Sequence, residues 1–207
     1  MVSVAAVLSL SACGGGEDED SGGGDKIAGA DTGKKSPSPS ASESADPGRP
    51  KIELPSDITY KFEWKKTGDP EKDAVLRDAE QRIKAVSMAI AEQDPLHEAY
   101  RFYSEGGAAA GSEKFIQSFV DHEARIAGVA RYFREMVTVK DDGTASLVYC
   151  EDQSKGFNKY IKTGKTDDVT VSKDSYVNYA SVLRKGTNGV WVTQSLQSQR
   201  GSERCQP

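Results

Sequence analysis

Few residues in this chain are of the types that chemistry favours. There are two histidines, His97 and His122, and three cysteines, Cys13, Cys150 and Cys205. The histidines stand apart, without the His-Glu or Cys-Cys spacings by which side chains converge on zinc, so helix-packing or surface roles are the favoured reading and no metal is expected. No Gly-Lys-Ser/Thr phosphate loop, no dinucleotide glycine fingerprint and no Gly-x-Ser-x-Gly elbow occurs. Phosphoryl and acyl transfer lack visible machinery, no catalytic residue is assigned, and no cofactor is implied. What remains is acid–base work by a carboxylate in a pocket between sheet and helices, where burial would raise its pKa. Asp152 is the candidate. In a regular strand it shares a face with Val148 and Cys150 while Tyr149 points the other way, which favours burial of Asp152 or its pairing at a strand end. Tyr132, Tyr179 and Trp191 are candidates to line the same pocket. The plainer readings are the favoured ones: Asp152 capping a turn, and the three aromatics serving as core.

These residues need a scaffold, and the pattern supplies one. Asp141-Asp142-Gly143 stands between two apolar-rich runs, 135–139 and 144–150, and Asp-Gly provides the positive φ of a tight hairpin turn. Thr187-Asn188-Gly189 joins 175–184 to 190–199 in the same way, both flanks being rich in strand-favouring Val, Tyr, Trp and Thr. Residues 153–173, charged and glycine-containing, read as a long connection between strands. Upstream, residues 57–64 alternate strictly, with Ile58, Tyr60, Phe62 and Trp64 on one face of a half-buried strand. Asp69-Pro70 is an N-cap followed by a proline at the first helical position, and Leu76, Ala79, Ile83, Val86 and Ile90 recur at helical spacing. Asp94-Pro95 repeats the start signal for a shorter helix bearing Leu96, Ala99, Tyr100 and Tyr103. After a flexible glycine–alanine stretch, 106–111, a third helix is expected from Ser112, with Phe115, Phe119 and Val120 inward. Helices followed by antiparallel strands predict an α+β domain with the helices on one sheet face.

The chain has 207 residues and a net charge of −5, but its composition is uneven. Residues 13–50 are rich in Gly, Ser, Pro and acidic side chains and cannot bury enough apolar surface to fold. They read as a disordered tether whose reach, for a random coil, is roughly 30 to 35 Å. Residues 51–207 remain as one domain, nearly neutral in charge, with no electrostatic footprint for nucleic acid. Residues 1–12 resemble the end of a bacterial secretory signal peptide, and Leu10-Ser11-Ala12-Cys13 resembles a lipobox. That resemblance implies acylation of Cys13, cleavage just before it, and a lipid anchor on the extracytoplasmic face of the cell membrane. An exported protein with one lipidated cysteine leaves one pair, Cys150 with Cys205, as the expected disulfide; the alternative is one buried and one exposed free thiol.

The order of elements, together with Gly128-Val129-Ala130-Arg131-Tyr132-Phe133, Tyr149-Cys150-Glu151-Asp152-Gln153-Ser154 and Gly201-Ser202-Glu203-Arg204-Cys205-Gln206-Pro207, resembles actinobacterial lipoproteins with a nuclear-transport-factor-2-like (SnoaL/ketosteroid-isomerase-like) domain. The resemblance covers roughly residues 54–207 and implies a cone of helices on a curved antiparallel sheet. The expected function is a membrane-anchored, non-catalytic module of the cell envelope that binds a small apolar ligand or an envelope protein. Two alternatives stay open: an extracytoplasmic enzyme using a cone-pocket carboxylate, of the isomerase or dehydratase kind, and an envelope assembly or structural role.

Overall fold

A computed structural model describes residues 48–207, which fall within one compact unit. The expected signal peptide, Cys13 and all but the last few residues of the tether lie outside the described residues. The described chain is α+β, in the order β1 (Ile58–Phe62), α1 (Pro70–Ala91), α2 (Glu98–Phe102), α3 (Gly106–Asp121), β2 (Ala124–Val139), β3 (Thr144–Tyr160), β4 (Tyr176–Lys185) and β5 (Trp191–Arg200). The five strands lie side by side in sequence order.

The sheet is mixed rather than wholly antiparallel. β2 to β5 form an antiparallel meander, but β1 adds to the edge of β2 in parallel, with Ile58 opposite Gly128 and Phe62 opposite Tyr132. Three helices separate β1 from β2, and this long crossover returns the chain in the same direction, as parallel pairing requires. The two Gly turns close the hairpins, Gly143 and Gly189 both having positive φ.

α1 starts where its N-terminal signal lies: the Asp69 carboxylate accepts from the backbone N–H groups of Glu71 and Lys72, at 2.9 and 3.3 Å. Its inward stripe feeds two core clusters. Val75, Leu76 and Ala79 pack with Tyr132, Leu147, Leu183 and Trp191, while Ala85, Met88, Ala89 and Ile90 pack with Tyr100, Tyr103, Ile116 and Val190. Ile83 and Val86 are only half-buried.

Four local expectations change. The 106–111 stretch is the first part of α3, because its alanines are strong helix formers. α3 turns Ser112 and Ile116 inward and leaves Phe115 50% exposed. Residues 153–160 continue β3 instead of leaving the sheet, pairing with Ala124 to Val129 of β2 beyond a register shift. Polar side chains on this half-buried strand give it a loop-like composition. Leu96, expected on the second helix, precedes α2 and is 55% exposed.

Candidate functional site

Between α1, α3 and the concave face of the sheet lies a cavity of about 420 Å³, within the range of small-molecule sites. Its floor is made of buried residues: Arg82 from α1, Tyr132 from β2, and Tyr149 and Glu151 from β3. Half-buried Ile83 and Val86 supply an apolar wall. The rim is formed by exposed residues, Gly107, Gly111 and Phe115 on α3 and Ser198 and Arg200 on β5. A Cβ built on Gly111 meets nothing within 4 Å, so this glycine leaves the mouth open.

Alternation along β3 decides which side chains reach the cavity. Leu147, Tyr149 and Glu151 point to the concave face, and Cys150 and Asp152 to the convex one. The pocket carboxylate is therefore Glu151 and not Asp152. Asp152 instead accepts from the Ser154 backbone N–H at 2.9 Å and from Arg131 at 3.3 Å. Partial burial pushes its carboxyl up, but these partners outweigh it and hold the carboxyl below the usual range. Of the aromatic candidates, Tyr132 and Tyr179 line the cavity. Trp191 does not: it begins β5 beneath the first turns of α1, where its backbone N–H donates to the buried Asp78 carboxylate at 2.7 Å and its ring belongs to the core.

Glu151 is held by donors. The Tyr132 hydroxyl donates to Oε1 at 2.8 Å and the Gln153 amide to Oε2 at 2.9 Å, and the Tyr179 hydroxyl also bonds this carboxylate. Burial raises its pKa, an effect that the Tyr132, Tyr179 and Gln153 hydrogen bonds oppose. Gln153 is held in turn by Arg200, which donates to its Oε1 at 2.8 Å. Burial also raises Tyr132 and Tyr179 well above the ordinary phenol value, so both remain donors at neutral pH. Tyr179 stacks on Tyr149 at 5.1 Å, and Tyr132 stacks on Phe62 at 4.7 Å. The Tyr60 hydroxyl bonds to Ser87 on the adjoining wall.

In the same cavity, Arg82 is 5% exposed and is held by two neutral hydroxyls, its Nε donating to Ser104 at 2.8 Å and its Nη2 to Ser112 at 2.7 Å. The Ser112 hydroxyl donates onward to the Ala108 carbonyl at 2.8 Å. Both Glu151 and Arg82 escaped the sequence reading, although each carries a periodic signal. Glu151 shares strand parity with Tyr149, and Arg82 falls three residues after Ala79 on the apolar stripe of α1.

The raised pKa of Glu151 has a definite sign in stability. Unfolded, the carboxyl titrates near the ordinary glutamate value of 4.5, and folded it titrates higher; its contribution is full below the unfolded value and is lost as pH rises through the folded one. Glu151→Gln removes that slope. Urea unfolding across pH 4 to 8 is expected to show the wild type losing stability relative to the variant as pH rises, and parallel curves would contradict it.

The histidines are placed apart. His97 caps α2 by accepting from the Ala99 N–H at 3.0 Å, and its other ring nitrogen lies 2.9 Å from Glu92; the His122 ring bonds the Ser118 carbonyl. Among the described residues no group of three or more His, Cys, Asp and Glu side chains is arranged to hold a metal ion, and no helix is long and apolar enough to cross a membrane.

The class of structure this geometry defines is an α+β cone with an open cavity between its helices and sheet. No protein-family model matches the chain, and no curated protein sequence does. Among solved structures it is similar to a ketosteroid isomerase-like protein from Erwinia carotovora atroseptica (14% identity, 65% of this chain and 98% of that one, TM-score 0.42). It is also similar to Aln2 from a Streptomyces species (15%, 64% and 92%, TM-score 0.44) and to a nuclear transport factor 2-like superfamily protein from Salmonella enterica serovar Typhimurium (10%, 63% and 94%, TM-score 0.44).

Proposed function

We propose that this protein is a lipid-anchored, extracytoplasmic binding module whose cone takes up a small, largely apolar ligand without turning it over. The observation that carries this reading is the 420 Å³ cavity itself, with aromatic and aliphatic walls, a few convergent polar groups and an open mouth. The lipobox-like sequence ending at Cys13 supports the anchor. Binding is favoured over catalysis because the carboxylate is already engaged by three donors, which leaves it a weaker base than an isolated buried one. A second reading, proton transfer of the isomerase or dehydratase kind, is favoured by one observation: Glu151 sits buried in the same cavity as a guanidinium able to stabilise developing negative charge.

The test has two arms. N-phenyl-1-naphthylamine, a neutral fluorescent probe of suitable size, is expected to saturate one site per chain. Gly111→Trp, which closes the mouth from a position with free space around it, is expected to weaken that binding by about tenfold or more, the scale of one well-placed apolar group. Equal binding by both proteins would place the probe elsewhere and remove the cavity from the reading. For the anchor, cells fed radioactive fatty acid should label the wild type and not Cys13→Ser, and an unlabelled, exported wild type would end that part of the proposal.

A further inference from the structure

A buried guanidinium is ordinarily matched by a carboxylate, because desolvating the charge is costly unless an opposite charge compensates. The other inward-lying arginines of this chain follow that rule. Arg49 meets Asp78 at 2.6 Å, Arg125 meets Asp57 at 2.7 Å, and Arg131 meets Glu63 and Asp152 at 3.1 and 3.3 Å. Arg82 is the exception. It is more deeply buried than Arg125 or Arg131, and among the described residues its only hydrogen-bond partners are two serine hydroxyls.

Those two bonds use Nε and one proton of Nη2, leaving three of the five guanidinium N–H donors without an acceptor. Glu151, the carboxylate of the same cavity, does not supply one: it is taken up by Tyr132, Tyr179 and Gln153, and no ion pair joins it to Arg82. The guanidinium is held in place by Ser104 and Ser112, and Arg82 lines a cavity that is also lined by the stacked Tyr149 and Tyr179. Burial lowers its pKa, yet an arginine stays protonated in proteins.

Resting on the reading that the cone binds a small molecule, we infer that Arg82 is an anion seat and that the ligand is an apolar, ring-bearing acid whose carboxylate takes the free donors of Arg82. The planar fork of an arginine suits two carboxylate oxygens at once. The ring packs among the apolar and aromatic groups that line the same cavity, Ile83, Val86, Tyr149 and Tyr179. An acid entering this seat supplies the negative charge that the fold omits. Arg200 on the exposed rim is the competing cation, but it already donates to Gln153 and to the Asp174 carbonyl.

The probes are 1-naphthaleneacetate and its neutral counterpart 1-naphthaleneacetamide, titrated calorimetrically into the full chain. The acid is expected to bind the wild type about 10- to 100-fold more tightly than the amide, the range for hydrogen bonds to a charged group. Arg82→Met should abolish that preference, and Arg200→Gln should leave it in place. Equal binding of acid and amide by the wild type, or a preference that survives Arg82→Met and vanishes in Arg200→Gln, overturns the inference while the cavity reading stands. Failure of both naphthyl probes while N-phenyl-1-naphthylamine binds also overturns it alone; failure of all three removes the cavity reading with it. Should Arg82→Met not fold, Ser112→Ala, which removes one hydroxyl steadying the guanidinium, is expected to weaken the acid and spare the amide, and unchanged acid affinity counts against the seat.

Discussion

Gly128→Ala is expected to cost about 2 to 6 kcal/mol, combining backbone strain of about 1 to 3 kcal/mol with overpacking of about the same size. Gly128 lies in β2 with φ +90, a region that a side chain makes costly, and a Cβ there would collide with the Lys155 carbonyl and meet the Phe157 ring at 2.9 Å. The carbonyl belongs to the paired strand and cannot move aside as a flexible side chain would. Gly128 sits opposite Ile58 on one side and Gly156 on the other, one residue before a register shift. The sheet uses it to bend while still carrying β1 on its edge. Gly156 provides the internal control: its φ is not positive, and a Cβ would meet only the Gln153 carbonyl at 3.5 Å and more distant atoms. Gly156→Ala should change stability by no more than about 1 kcal/mol, the scale of an ordinary surface-strand substitution. Urea unfolding of the two variants decides the matter. Comparable losses at both positions would refute a special backbone requirement at Gly128.

The sequence made the scaffold legible wherever one residue type has a narrow structural meaning. Asp69-Pro70 marked the start of α1, and Gly143 and Gly189 marked both hairpins, because few other residues adopt those conformations. The parallel pairing of β1 was hidden, since alternation in 57–64 reports a half-buried strand and is silent on its partner. The N-terminal half of α3 was hidden because local propensity reads its glycines as flexibility, while the alanines between them carry the helix. At the site, parity in β3 was right and the favoured reading of Asp152 as a turn cap holds, since it accepts from the Ser154 N–H, but as the pocket candidate it was one residue off. Cys150 draws attention to its own side of the strand, but that side is the convex one, so Asp152 follows it outward and Glu151 turns into the cone. Arg82 was missed for a related reason: a charge on an apolar helix stripe is discounted as a boundary of the stripe, whereas here it is buried within it.

Removing the disulfide, as Cys150→Ala with Cys205→Ala, is expected to lower stability by about 4 kcal/mol, the chain-entropy value for a loop of this length. For a domain of this size that is a fall in Tm of roughly 8 to 16 °C. The cysteines are joined across 55 positions with their Cα atoms 5.4 Å apart, and both are fully buried with Phe133 and Tyr176. The bond ties the C-terminal turn to the convex face of β3, where Arg134 also donates to the carbonyls of Arg204 and Gln206. Because the main effect is on the unfolded chain, the urea m-value of the double variant should rise as its denatured state expands. Cys150 lies between Tyr149 and Glu151 but points away from them, so the loss of the clasp should leave the cavity intact while the domain stays folded. Binding of N-phenyl-1-naphthylamine at 10 °C is therefore expected to agree within about twofold between the two proteins, which is within roughly 0.4 kcal/mol. A stability loss below about 1 kcal/mol would mean that the loop is already constrained without the bond. A large drop in probe affinity in the folded variant would mean that the clasp shapes the concave face through the strand it grips.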